Sequence, residues 1–171
     1  MASRQSTLAN VAGPHRRRGH PLRMAGLGLV ALAVAAGAVG LLGPRTATAS
    51  ASGGGYDLTV HYPWMARAGL DVPWSATVHH AGGFSKPITI GISASYFDIF
   101  ETQGMHPQPS QETATPTTVY LQFDPPPGDT FKVSYDAYIQ PASQIGRHAT
   151  VSVSVQRTEL VHVRYATWLV P

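Results

Sequence analysis

From residue 56 to the end of the chain, apolar and polar residues alternate with period two. Leu58, Val60 and Tyr62 alternate with Asp57, Thr59 and His61, and Trp74, Ala76 and Val78 with Ser75, Thr77 and His79. Ile88, Ile90 and Ile92 form the cleanest stripe. Val119, Leu121 and Phe123 follow, then Phe131, Val133, Tyr135, Ala137 and Ile139, then Val151, Val153 and Val155, and last the mixed run Leu160–Val170. A strand places successive side chains on opposite faces, so each run reads as a strand with one buried face. Ala81-Gly82-Gly83, Pro125–Asp129 and Pro141-Ala142-Ser143 supply the turns between them. No helical period survives beyond about one turn, and Ser95–Glu101 is the best place for one. Seven short strands in this length predict an all-β fold, an immunoglobulin-like β-sandwich. The longest stretch without a pattern, Thr102–Pro116, reads as a loop.

Upstream the pattern is different. Residues 24–42, MAGLGLVALAVAAGAVGLL, contain no charged or hydrogen-bonding side chain. At about 1.5 Å per residue a helix of this length just crosses a hydrocarbon core of roughly 30 Å. Arg16, Arg17, Arg18 and Arg23 precede it, which keeps the N-terminus cytoplasmic and sends the C-terminus out. The expected organisation is a cytoplasmic basic tail (1–23), a transmembrane signal-anchor helix (24–42), a flexible linker (43–55, including SASGGG) and an extracytoplasmic β-sandwich (56–171). Retention and cleavage both remain open. Ala47-Thr48-Ala49 and Ala49-Ser50-Ala51 fit a small-x-small cleavage pattern, whereas the apolar run is longer than that of a signal peptide.

Charge sharpens the division. The chain carries a formal +3, yet six of its twelve basic residues lie before residue 50, where there is no acid. Residues 51–171 hold six basic residues against nine acidic ones. A net-acidic domain lacks the basic face that phosphate neutralisation requires, so no nucleic-acid partner is expected. The absence of cysteine removes disulfides, zinc-thiolate sites and thiol nucleophiles.

No GxSxG, HExxH or phosphate-cradling glycine loop occurs, so no enzymatic activity, catalytic residue or cofactor is expected. His61, His79 and His106 are the residues on which a metal-binding alternative would rest, although no spacing among the histidines matches a recognised ligand set. His61 and His79 lie on polar faces of consecutive strands and would approach if those strands pair. Tyr62, Trp64 and Arg67 are the candidate partner-binding residues, because Trp, Tyr and Arg dominate binding hot spots. Trp64 has a second reading, as a plug over the end of the core. Trp74 and Trp168 are expected in the core. Of Tyr96 and Phe97, adjacent in one turn, only one can point inward from a strand.

Tyr62-Pro63-Trp64, Arg67-Ala68-Gly69-Leu70, Pro73-Trp74, Gly83-Phe84 and the terminal Thr167-Trp168…Pro171 carry a resemblance. Residues 56–171 are similar to a group of uncharacterised single-span, membrane-anchored proteins of actinobacteria with a small β-rich outer domain. The resemblance implies an integral-membrane protein partner and no catalytic residue. The function expected is a non-enzymatic, membrane-anchored interaction or accessory module. A histidine-ligated metal-binding domain and a cell-wall glycan-binding domain are the alternatives.

Retention predicts a full-length mass in a membrane fraction that resists carbonate extraction. Cleavage predicts a soluble protein whose mass begins at Ser50 or Ser52.

Overall fold

An apolar run in lipid satisfies its backbone internally only as a helix, and His20–Ala38 is helical (α1). The computed structural model describes residues 20–38, 44–101 and 104–170. Pro21–Ala38 has a mean hydropathy of 1.6, long and apolar enough to cross a membrane. The helix begins four residues before the expected span, and residues 39–42 of that span lie outside the described residues, as does most of the basic tail.

The second unit, residues 44–171, is almost entirely β. Its strands are β1 (Arg45–Gly53), β2 (Tyr56–Arg67), β3 (Asp71–His80), β4 (Ile88–Ser93), β5 (Met105–His106), β6 (Gln111–Ala114), β7 (Thr118–Phe123), β8 (Thr130–Tyr138), β9 (Arg147–Val155) and β10 (Thr158–Val170). One four-residue helix, α2 (Ala94–Phe97), follows β4. All seven expected strands are present, as β2, β3, β4, β7, β8, β9 and β10. They pair in the order β5-β8-β3-β2-β10-β9-β4-β7-β6, with β1 on β2. The predicted stripes are the buried residues: Leu58, Val60, Ala76, Val78, Ile88, Ile90, Val133, Val151 and Val153 are fully shielded from solvent. Each such aliphatic side chain larger than alanine contributes about 1.5–3 kcal/mol by leaving water.

Three expectations are overturned. The segment read as a flexible linker, 43–55, contains β1, which pairs with β2 along its whole length, from Arg45↔Met65 to Gly53↔Tyr56. Ala47, Ala49 and Ala51 are half-buried and alternate with exposed Thr48, Ser50 and Ser52. This is a strand pattern written in small residues, and Gly54-Gly55 at positive φ closes the hairpin. Only small residues fit: a side chain at Gly53 would collide with the Leu160 carbonyl. The stretch read as a loop, 102–116, supplies β5 and β6, the two ends of the sheet order. Their side chains are largely exposed, so no apolar alternation marks them. Trp168 is 61% exposed rather than in the core. Val161, Val163, Tyr165 and Thr167 take the buried face of β10, and a period of two then turns residue 168 outward.

The two halves of the sheet are joined through β2. Its first half pairs antiparallel with β3, ending at His61↔Ser75. Its last three residues, Met65–Arg67, pair in parallel with Trp168–Val170 of β10. Residues 62–64 have neither neighbour on that side. Proline suits the gap, since it has no N–H to leave unpaired, and Trp64 is the extra residue of a bulge, because Thr46 pairs with Pro63 and Arg45 with Met65. The Pro63 carbonyl is buried and accepts from Thr167 Oγ1 at 2.7 Å.

That bond ends a buried relay. Trp74 Nε1 on β3 donates to the Tyr165 hydroxyl on β10 at 2.7 Å. Tyr165 donates to the hydroxyl of Tyr96 in α2. Because Thr167 gives its proton to Pro63, Tyr96 must be the donor in the 2.9 Å bond to Thr167 Oγ1. Tyr62 stacks on Tyr165 with ring centroids 4.1 Å apart. No side-chain N or O atom buried among the described residues lacks a partner.

Thr167→Val keeps the shape but strands the Tyr96 O–H and the Pro63 carbonyl; a loss of about 2–4 kcal/mol is expected in urea unfolding, with an unchanged m-value. Burial pushes the Tyr96 and Tyr165 hydroxyls well above the ordinary tyrosine value. An unfolded tyrosine ionises near pH 10, roughly, while these two stay neutral in the fold. Their contribution is therefore full below that pH and is lost as pH rises toward the folded values. The urea midpoint should fall steeply above about pH 10, and less steeply in the double variant Tyr96→Phe/Tyr165→Phe.

Candidate functional site

The outward face of β4, β7, β9 and the start of β10 carries short polar side chains where the inward face carries Ile and Val. Register fixes their neighbours. Gly91 pairs with Ser152 on β9 and with Tyr120 on β7, and Tyr120 pairs with Thr113 on β6. One rung further along the sheet, Thr89 lies between Ser154 and Gln122, and Gln122 pairs with Gln111. Of these, Thr89, Gln111, Thr113, Tyr120, Gln122 and Ser154 line a trough of about 490 Å³, completed by Arg157 from the β9–β10 turn and Glu159 at the start of β10. That volume lies within the usual range for ligand sites, roughly 300–1,000 Å³.

Gly91 is itself buried and leaves room for the neighbouring Tyr120 ring. A Cβ there would stand 2.8 Å from Ser152 Oγ and 3.3 Å from the Tyr120 ring. Without it the Tyr120 ring reaches across β4, and the side chain remains 37% exposed. Tyr120 is thus an aromatic surface in a hollow otherwise lined by amide, hydroxyl, guanidinium and carboxylate groups. Gln111 and Gln122 each offer two donors and an acceptor group, the hydroxyls offer both roles, and Arg157 offers five donors. Glu159 Oε1 is 2.9 Å from His162 Nδ1, which orients the carboxylate.

The turn that presents Arg157 is strained. Gln156 and Arg157 have φ of 52° and 68°, the two non-glycine residues at positive φ among those described. A two-residue hairpin of this shape favours Asn-Gly or Gly-Gly, and the chain uses Gly54-Gly55 for the β1–β2 turn. Placing side-chain-bearing residues there costs on the order of 1 kcal/mol or more each. Gln156 is held by Lys86, whose Nζ donates to its Oε1 at 2.8 Å. Arg157 lines the trough.

The residues singled out in the sequence do not share one surface. Tyr62 is half-buried against Tyr165, Trp64 is half-buried in the bulge, and Arg67 is exposed at the end of β2. Tyr96 is fully buried, while Phe97 is half-buried edge-on to Tyr135. The histidines do not converge either. β2 and β3 do pair, but His61 faces Ser75 and His79 faces Asp57, which sets them four residues apart, about 13 Å along the ladder. His106 Nε2 lies 3.2 Å from Asp136 Oδ2 on the β5–β8 side, both exposed. Among the described residues no group of three or more His, Asp or Glu side chains gathers in a way that could hold a metal ion. A broader hollow over β3 and β8, which includes His61, Ser75, Lys132 and Asp136, offers no exposed aromatic ring.

The trough was hidden in the sequence for identifiable reasons. Tyr120 interrupts an apolar stripe and reads as one more strand residue. Gln111 and Thr113 belong to a strand without apolar alternation. Only the Gln156-Arg157 pair, standing where a tight hairpin wants glycine, carried a local signal. No protein-family model matches this chain, and no curated protein matches it.

Proposed function

We propose that this protein is a membrane-anchored, extracytoplasmic carbohydrate-binding module, and that the trough lined by Tyr120, Gln122 and Arg157 is its binding site. The observation that carries the reading is the Tyr120 ring laid in a polar hollow by the missing side chain at Gly91. A sugar ring presents an apolar C–H face and a rim of hydroxyls. The first matches an aromatic surface, and the second matches the amides and charges of Gln111, Gln122, Arg157 and Glu159. One aromatic ring suits a short stretch of glycan rather than a long crystalline array. The lining includes a single carboxylate, Glu159, whereas glycoside hydrolysis uses a pair of them about 5–10 Å apart. The reading is therefore binding without cleavage.

An immunoglobulin-like sandwich is the architecture we attach to this reading. Its support is the switch of β2 from an antiparallel partner to a parallel one, together with the meeting of inward side chains from the two halves at Trp74–Tyr165 and Phe123–Phe131. Retention of α1 as an anchor draws support from β1. Cleavage after Ala49 or Ala51 would remove most of the strand that covers the edge of β2. The basic residues before α1 and their scarcity just after it favour the outward orientation of the β domain.

The test uses the full-length protein in detergent micelles with isolated cell-wall glycan as the binding partner. Tyr120→Ala and Gln122→Ala should each weaken binding at least tenfold. Arg157→Gly separates function from folding: relief of the positive-φ strain should stabilise the fold by about 1 kcal/mol, raising Tm by roughly 4 °C, while glycan binding falls. Wild-type affinity in all three variants would refute the trough as the site.

A further inference from the structure

A second surface lies at the opposite end of the strands from the trough's charged turn. β1 begins there, β2 and β10 end there, and register lines up Arg45, Met65 and Trp168 across three adjacent strands. Of the four large apolar side chains exposed outside α1 among the described residues, three belong to this end. They are Leu70 (38% exposed), in the β2–β3 connection, Ile145 (73%), before β9, and Trp168 (61%). The fourth, Tyr120, is in the trough.

Part of the basic charge lies at or toward the same end. From residue 44 onward the chain has seven basic residues and nine acidic ones, yet Arg67 ends β2, Arg147 begins β9 opposite Thr167, and Arg164 stands on the outward face of β10 two pleats before Trp168. Asp57, Asp124, Asp129 and Glu159 sit at the other end of the strands. The acids at the arginine end are Asp71, where β3 starts, Asp136, two residues before the end of β8, and Asp98 and Glu101 after α2. None lies on the outward face of β10. An exposed tryptophan with flanking arginines and aliphatic side chains is the composition of a membrane–water interface. Only six residues, 39–44, separate Ala38 from Arg45, a reach of roughly 20 Å when fully extended.

We propose that this end of the β domain rests on the headgroups of an anionic bilayer, with Trp168 and Ile145 at headgroup depth and Arg67, Arg147 and Arg164 facing phosphates. The inference shares the anchored reading of α1 but is independent of what the trough binds. The surface would tether the domain in one orientation, with the trough turned away from the lipid.

The absence of native cysteine allows a single-label test on the full chain reconstituted in phosphatidylcholine vesicles with and without about one-third phosphatidylglycerol, a content that supplies the surface charge. A fluorophore at Ile145→Cys is compared with one at Asp129→Cys, using a headgroup-nitroxide lipid as quencher. In anionic vesicles the label at 145 should be quenched at least threefold more than the label at 129. Arg67→Gln/Arg164→Gln, or about 0.5 M salt, which shortens the screening length to a few ångströms, should remove at least half of that excess. Equal quenching at the two positions overturns the proposal. So does shielding of position 145 from aqueous iodide without lipid quenching, which would identify a protein occupant such as a second copy. Protein that carbonate strips from the vesicles overturns the anchor itself, a failure distinct from an anchored domain whose end does not dock.

Discussion

The hydrogen bond from Thr167 to the Pro63 carbonyl holds the β domain at the point where its sheet changes direction. β2 must leave β3 before it can run beside β10, and the departure exposes backbone that neither neighbour can pair. A buried carbonyl without a partner costs about 1–3 kcal/mol. The chain meets that constraint twice, with a proline that has no N–H and with a threonine hydroxyl aimed at the remaining oxygen. The rest of the relay is built on that hydroxyl, since a proton committed to Pro63 leaves Thr167 only as acceptor for Tyr96, and the direction propagates back through Tyr165 to Trp74. A directed chain of this kind tolerates one register of β10 against β2, because a slip by one residue would carry the hydroxyl to the other face.

From that crossing follow the two surfaces. With Thr167 and Tyr165 committed inward, Trp168 has to face outward. With Ile88, Ile90 and Ile92 committed inward, Gly91 falls on the outer face opposite Tyr120. The apolar exposure at one end and the trough near the other are therefore consequences of how the core is registered. Strain is placed in the same way. The hairpin at Gly54-Gly55 relaxes its positive φ with glycine, whereas Gln156-Arg157 retains side chains at positive φ beside the trough. Backbone energy is given up where a guanidinium lines the trough.

The β2 edge explains why the segment next to α1 belongs to the fold. An uncovered strand edge invites pairing with a neighbouring chain. β1 covers that edge with alanine, serine and threonine and ends at Gly53, where a Cβ would collide with the Leu160 carbonyl. The sheet order ends at β6, a strand exposed along its length that includes Gln111 and Glu112. Polar and charged side chains make it a poor template for association.

The sequence by itself determined the class of the fold, the apolar helix, the seven core strands and most of the buried side chains within them, because period-two alternation of large apolar residues is a local consequence of having one face in the core. It did not determine β1, since alternation between alanine and serine is too faint to distinguish a strand from a linker. It did not determine β5 and β6, whose exposed faces carry no hydrophobic pattern. Trp168 was misplaced because residue type argued for the core while register, set by Thr167 and Pro63 more than a hundred residues apart, argued against it. The trough and the arginine–tryptophan end were likewise decided by tertiary structure alone. Each gathers residues from several strands whose only common property is a ladder position, and ladder positions are fixed by pairing partners that no local stretch of sequence contains.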